Sequence, residues 1–288
     1  MTTNIGAIII TYNIGYRIKE NIKELKQQVK EIIIVDNGST EDTIHVLDEL
    51  NELEQITVIK LNENKGIAYA LNIGIDYALM EGYQWILTLD HDSIVTKNML
   101  NEMISVYDQM TNQAEIAMIT PNHIEESQFP SVDNHLNIHE FVLTEITSGA
   151  LVKSEIYRNI KKYNEKLFID LVDHEYCLEL NKLGYRILKV NTACLIHNLG
   201  ETECKKILGL KILPTNHSPI RRYYMSRNRL YIWSKYYRYF PKWVVVDIRR
   251  CVTEIFKILL FENQKVMKMK MITLGFNDYF KKQWGKKI

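Results

Sequence analysis

Two carboxylates, Asp90 and Asp92, close the run Trp85-Ile-Leu-Thr-Leu-Asp90-His-Asp92-Ser. The apolar part, Ile86 to Leu89 interrupted by Thr88, reads as a buried strand of a parallel sheet. Side chains two apart on an extended backbone point the same way, so Asp90 and Asp92 share a face and His91 turns from it. Such a pair suits a hard divalent cation, Mg2+ or Mn2+, which takes one or two protein carboxylates and fills its remaining positions with phosphate oxygens and water. An acidic turn after an edge strand is the plain alternative.

Two further places carry groups able to move a proton or hold a ligand. In Leu167-Phe-Ile-Asp170-Leu-Val-Asp173-His-Glu175, apolar residues at 168, 169, 172, 176, 178 and 180 predict a helix beginning near Asp170, with Asp170, Asp173 and Glu175 crowding its first turns. Acidic groups there also serve simply as partners of the helix dipole. His197 ends the second of two short strands, read over 185–190 and 193–196.

The elements that must position these groups alternate. Gly6 to Thr11 is a β-branched strand ending at Tyr12-Asn13, and an amphipathic helix with Ile18, Ile22, Leu25 and Val29 follows. Ile32 to Val35 is a second strand ending at Asp36-Asn37-Gly38-Ser39-Thr40, where Ser39 or Thr40 can cap the next helix. Ile56 to Leu61 is a third, ending at Asn62-Glu-Asn64-Lys-Gly66 before a helix over about 67–80. Four strand-helix repeats point to stacked βαβ units and a mostly parallel sheet, an α/β fold. Ligands of open α/β sheets bind beyond the carboxyl ends of the strands, so Tyr12, Asp36, Asn64 and Asp90 line one crevice. The stretch 112–144, with Pro121 and Pro130, reads as loop and edge strands, and Glu145 to Val152 as a further strand with Gly149 at a point of close approach.

The chain has 288 residues, 46% of them hydrophobic, enough for one large domain or a domain with an appendage. No uncharged apolar window of membrane-spanning length occurs, and the N-terminus does not resemble a signal peptide. Cys177, Cys194, Cys204 and Cys251 form no C-x-x-C pair, which fits a reduced, cytoplasmic location. Charge is uneven: residues 201–288 hold 20 Lys+Arg and 6 Asp+Glu, whereas residues 1–200 hold 16 and 29. A balance of +14 against −13 gives the C-terminal part a role of its own with an anionic partner, a membrane or a nucleic acid.

Neither G-x-G-x-x-G nor G-x-x-x-x-G-K-[ST] follows the first strand, which disfavours a dinucleotide fold and a P-loop. The segments Ile10-Thr-Tyr-Asn13, Val35-Asp-Asn-Gly-Ser-Thr40, Asn64-Lys-Gly-Ile-Ala-Tyr-Ala-Leu-Asn72, Leu89-Asp-His-Asp-Ser93, Thr147-Ser-Gly149, 167–177, His197-Asn-Leu-Gly200 and Arg222-Tyr-Tyr-Met-Ser-Arg-Asn-Arg229 occur in one order. With them the chain resembles the inverting family-2 glycosyltransferases of GT-A fold, and among these the bacterial rhamnosyltransferases. The D-x-D-S form and the F-I-D-x-V-D-x-E-x-C string carry the rhamnosyl likeness; galactofuranosyltransferases look similar around the same helix.

The resemblance implies a GT-A catalytic domain over 1–205, with a nucleotide half to about 92 and an acceptor half after it, and a helical extension over 206–288. It implies a dTDP- or UDP-sugar donor held by Thr11, Tyr12, Asn13, Asp36, Asn37, Asn64, Gly66, Asn72 and Asp90, with Asp36 accepting the pyrimidine N3–H and Arg227 reaching the diphosphate. Asp92 and His197 would hold Mn2+ or Mg2+. Asp173 would be the catalytic base, with Asp170 in reserve, and Ser148, Gly149, Asp170 and Glu175 would border a saccharide or lipid-linked saccharide acceptor. An inverting transfer is one displacement and needs one base opposite the leaving group.

Residues 220–243 interleave Arg221, Arg222, Arg227, Arg229 and Arg238 with eight Tyr and Trp side chains and Phe240, and residues 244–261 read as an amphipathic helix. Basic residues with Trp and Tyr suit an anionic membrane surface, so the enzyme is expected on the inner face of the cell membrane, without a nucleic-acid partner. A helical hairpin packed on the catalytic domain is the plain alternative. In a different class stands a non-catalytic nucleotide-sugar or nucleic-acid binder, which would have no use for Asp173.

Overall fold

The computed structural model describes residues 4–125, 137–160, 162–197, 205–207, 210–212 and 216–287. Its contacts divide the chain into two compact units, residues 1–165 with 172–198, and residues 166–171 with 199–288.

The first unit is an α/β domain on one mixed sheet. β1 (Ile5–Thr11), β2 (Glu31–Asp36), β3 (Ile56–Lys60) and β4 (Trp85–Asp90) lie parallel in the order β3-β2-β1-β4. Both faces of β1, β2 and β4 are covered, so every residue of β1 is buried and the sequence is a β-branched run rather than an alternation. The crossovers are α1 (Ile18–Leu25), α2 (Glu41–Asn51) and α3 (Ile67–Met80). Ile18, Ile22 and Leu25 of α1 are buried, as their spacing predicts.

Beyond β4 the pairing becomes mixed, antiparallel except for one long parallel pair. β5 (Ser93–Val95) and α4 (Met99–Asp108) lead to β6 (Ile116–Ile124), β7 (His139–Val142), β8 (Ala150–Lys153), α5 (Ser154–Asn159), α6 (Val172–Lys182) and β9 (Arg186–His197). The sheet continues β4-β8-β6-β9-β5, with β7 also on β9. β6 is thus an inner strand, not the loop and edge expected of the Pro121 region; the proline is accommodated where the β6–β9 register shifts, between Pro121 and Asn122. The two short strands expected over 185–196 form the single strand β9, across the same irregularity.

Among the described residues, the second unit contains the helices α7 (Pro219–Tyr236), α8 (Pro241–Phe261) and α9 (Lys265–Phe280). It also takes in residues 166–171, which a single cut at 205 assigns to the catalytic domain. The fully buried amide of Asn228 explains the assignment: Nδ2 donates to the carbonyls of Leu167, Ile169 and Asp170 at 2.8, 2.8 and 2.9 Å. Phe168, Asp170 and Leu171 have positive φ (61°, 64° and 62°), so α6 starts at Val172, just past Asp170.

Candidate functional site

The carboxyl ends of β1 and β2 are tied through Asp36. Thr11 Oγ1 donates to its Oδ1 at 2.9 Å, the amides of Gly38 and Ser39 donate to Oδ2 at 3.2 and 2.8 Å, and Ser39 Oγ donates to Oδ1 at 2.5 Å. Thr11 and Asp36 are fully buried. A carboxylate has about four lone-pair sites, and these four bonds fill them. In this geometry Asp36 shapes the loop; a pyrimidine N3–H reaches it only if the Ser39 hydroxyl gives way. Gly38 is required here, with φ of 80° and a position where a Cβ would stand 2.5 Å from the Glu63 carbonyl carbon.

The neighbouring loops interlock. Asn13 is left-handed (φ 54°), donates its amide N–H to Ser39 Oγ at 2.8 Å and accepts from the Thr40 amide at 2.8 Å. Thr40 is the N-cap of α2 without a side-chain cap bond. Asn37 Oδ1 accepts from the Lys65 amide at 2.9 Å, and Asn64 Oδ1 accepts from Asn37 Nδ2 at 3.2 Å and from the Gly66 amide at 3.0 Å. Tyr12 follows the end of β1 and is 47% exposed. Asn72 lies deeper: Nδ2 donates to the Tyr163 carbonyl and to Glu165 Oε1, and Oδ1 accepts from the Tyr163 amide. The structure therefore assigns Asn72 to fixing 163–165.

A second knot holds the Asp90–Ser93 turn. The Asp90 amide donates to Ser148 Oγ at 3.1 Å, Ser148 Oγ donates to Ser93 Oγ at 2.7 Å, and Asn21 Nδ2 donates to the His91 carbonyl. His123 Nε2 donates to the Ser148 carbonyl at 2.7 Å, since a carbonyl only accepts, while its Nδ1 lies 3.7 Å from Glu145 Oε1. Gly149, at φ 82°, lets Pro121 approach: a Cβ would meet its Cγ at 2.7 Å. Ser148 and Gly149, read as acceptor residues, thus sit behind Asp90.

The register of β5 on β9 sets Ser93 across from His197, so the exposed Asp92 and His197 are brought to one strand end. The side chain of His197 lies outside the described residues. Among those described, no three His, Cys, Asp or Glu side chains converge on one point. One carboxylate and one imidazole suit an ion that takes its other ligands from phosphate and water, so the donor set fits Mn2+ or Mg2+.

Asp173 lies in the first turn of α6, and its side chain is 21% exposed. It accepts from the His174 amide at 2.8 Å, and His174 Nδ1 is 3.3 Å away. Burial pushes this carboxyl up, but the His174 charge and hydrogen bonds outweigh it and hold it below the usual carboxylate range. Asp173 is consequently ionised at neutral pH and able to accept a proton. Glu175 is buried, on a different face of the helix. Tyr163 and Tyr176 pack in the same unit with ring centroids 4.5 Å apart.

Within the second unit, Asp170 Oδ1 accepts from Arg221 Nε at 2.9 Å. Arg227 is 1% exposed; its guanidinium donates to the carbonyls of Gly285, Lys166 and Leu167 at 2.8, 3.1 and 3.2 Å and to Asn228 Oδ1 at 3.2 Å. The expected reach to a diphosphate is not what this geometry offers, because the fork is closed on backbone carbonyls. Sequence reasoning passed over Asn228, although it stands in the Arg-Asn-Arg string, and over His123 in the stretch 112–144.

The family model described as Glycosyl transferase family 2 matches residues 7–171. The dTDP-rhamnosyl transferase RfbF of Shigella flexneri is 32% identical over 248 residues, 82% of this chain and 81% of the relative. A poly-beta-1,6-N-acetyl-D-glucosamine synthase of Staphylococcus aureus is 30% identical over 118 residues, 40% of this chain and 27% of the relative. Among solved structures, GalNAc-T7 with UDP, GalNAc and Mn2+ superposes with a TM-score of 0.57 at 14% identity, over 71% of this chain and 44% of its own. S. aureus TarS 1–349 gives 0.53 at 15%, over 96% and 72%. At these identities the two structures establish the shared GT-A fold.

Proposed function

Because the chain belongs to glycosyl transferase family 2, we propose that it transfers L-rhamnose, with inversion, from dTDP-β-L-rhamnose to a saccharide acceptor in cell-surface polysaccharide synthesis. The likeness to a dTDP-rhamnosyl transferase over 82% of the chain carries the choice of donor. Tyr12 covers the base, and the loops fixed by Asp36, Asn37 and Asn64 form the floor of the nucleotide site. Asp90, oriented by Ser148, meets the ribose or the sugar. The ionised Asp173 takes the proton of the acceptor hydroxyl as its oxygen bonds to C1 and the bond from C1 to the departing diphosphate oxygen breaks. C1 gathers oxocarbenium character on the way, which one carboxylate on the far face suffices to exploit. Mn2+ or Mg2+ held by Asp92 and His197 would neutralise the charge on the leaving diphosphate. Asp36 is kept as a reader of the pyrimidine only if Ser39 moves on binding.

Among the described residues no helix is long and apolar enough to cross a membrane. Peripheral attachment to an anionic membrane, near a saccharide or lipid-linked acceptor, belongs to the same reading and rests on the +14 charge of residues 201–288.

A hydrolysis and thermal-shift screen of dTDP- and UDP-sugars, with Mn2+ and with Mg2+, tests the donor. The expected result is selective stabilisation and turnover of dTDP-β-L-rhamnose. Preference for UDP-galactofuranose or a UDP-hexose would replace the donor, and inert behaviour toward all of them would leave a binding protein.

A further inference from the structure

α8 faces the opposite way from a helix that only packs on its own domain. Amphipathic helices of globular proteins turn their apolar stripe to the core. Here both acids of α8 turn inward. Glu254 accepts from Arg222 Nη1 at 3.1 Å and from Arg229 Nη1 and Nη2 at 2.9 and 2.7 Å; Asp247 accepts from Trp233 Nε1 at 2.7 Å and lies 3.4 Å from Arg229 Nε. The outward stripe is apolar: Val245, Ile248, Val252, Phe256 and Leu259, at spacings of three and four, are exposed, and Phe256 and the adjoining Leu260 are 60% and 62% exposed. Exposed Val266 and Met267 continue the apolar surface at the start of α9.

The charge along this face has one sign. Lys242, Arg249 and Arg250 are exposed on α8, and Lys265 and Lys270 on α9. The acid of α9, Asp278, also turns inward, to Tyr223 Oη at 2.7 Å and Lys287 Nζ at 2.7 Å. Two copies of the face laid together would set cation against cation. An apolar stripe flanked by Lys and Arg is instead what lies in the headgroup region of a bilayer, with anionic lipid neutralising the flank. We infer that the outward face of α8, continued onto the start of α9, docks on an anionic lipid surface. This deepens the peripheral-membrane part of the proposed function and does not depend on the donor.

The full chain is pelleted with phosphatidylcholine vesicles with and without phosphatidylglycerol, over a salt series. Binding is expected with phosphatidylglycerol and should fall steeply with salt, because exposed charges are screened. Phe256→Ser with Leu260→Ser should lower the bound fraction about tenfold or more. Arg249→Gln with Arg250→Gln should lower it about tenfold at low salt. As these side chains are exposed, melting temperature should hold in each variant; independently, Phe256→Trp should give a blue-shifted emission on anionic vesicles. Equal binding to both vesicle types, or none, overturns the inference. So does a concentration-dependent dimer in sedimentation that the Phe256 and Leu260 substitutions abolish, which would assign the face to a second copy. Donor hydrolysis without vesicles should be unchanged in all variants; its absence in the parent would count against the transferase reading alone.

Discussion

The two units use their charges in opposite ways. In the first, polar and acidic groups gather at the carboxyl ends of β1, β2 and β4, where Asp36 and the Asp90 turn are tied by short local networks and Asp92 stays exposed. In the second, the described acids face inward: Asp170, Asp247, Glu254, Glu262 and Asp278 all stand in ion pairs with Arg or Lys. What the second unit presents outward includes the apolar stripe of α8 and the exposed Lys242, Arg249, Arg250, Lys265 and Lys270. Net charge alone pointed the C-terminal part to an anionic partner but not to the face that would meet it. Chemistry sits where strand ends leave polar groups open, whereas pairing inside a helical unit decides which face is left for a partner.

The largest effect that would break this comparison is at the base. Asp173→Asn keeps the shape and removes the basicity, so transfer should fall by about 10²–10⁴-fold with donor and metal affinity nearly intact. Asp170→Asn should cost much less, since its carboxylate serves Arg221 in the second unit. Single-turnover rates decide: a dead Asp170→Asn beside an active Asp173→Asn exchanges the two roles.

Next comes the metal. Asp92→Ala should remove the metal-dependent part of the thermal shift given by the donor nucleotide, and an unchanged dependence would show that the ion is held elsewhere. Asn228→Ala breaks three hydrogen bonds to 167–170 inside the second unit and should destabilise the protein by about 2–4 kcal/mol. A urea titration reads this; a loss within about 0.5 kcal/mol, the range of an ordinary surface change, would mean that the loop holds itself. Asp36→Ala should weaken dTDP and UDP alike by about 1.5–3 kcal/mol in calorimetry, through the loop it shapes or through the base.

The smallest effect is on pH. Burial, with Arg221 and Arg222 nearby, pushes the His217 imidazole down to about 4 from 6.5. Between those values the unfolded chain binds the proton and the folded one does not, so stability falls as pH drops through that window. The melting temperature of His217→Gln should depend less steeply on pH there, and an identical slope would remove His217 from the account.

Much of the first unit was readable because its signals are local. Buried β-branched runs marked β1, β2 and β4, and the polar residues after them marked the crevice. What escaped depends on long-range partners. Phe168 and Leu171 are not residues that announce a left-handed backbone, and the amide that holds the turn lies some sixty positions on, at Asn228. Pro121 signalled a loop because its accommodation depends on β9. The period of α8 showed that it is amphipathic but not which side faces out; that follows from Arg222 and Arg229 on α7, which draw Glu254 and Asp247 inward.

The central claim is a single displacement served by one carboxylate, and the anomeric configuration of the product tests it most directly. With dTDP-β-L-rhamnose and a saccharide acceptor, proton NMR of the first product formed should show an α-L-rhamnosyl linkage. A β-linkage would mean two displacements, hence a second nucleophilic group, and would contradict the role given to Asp173.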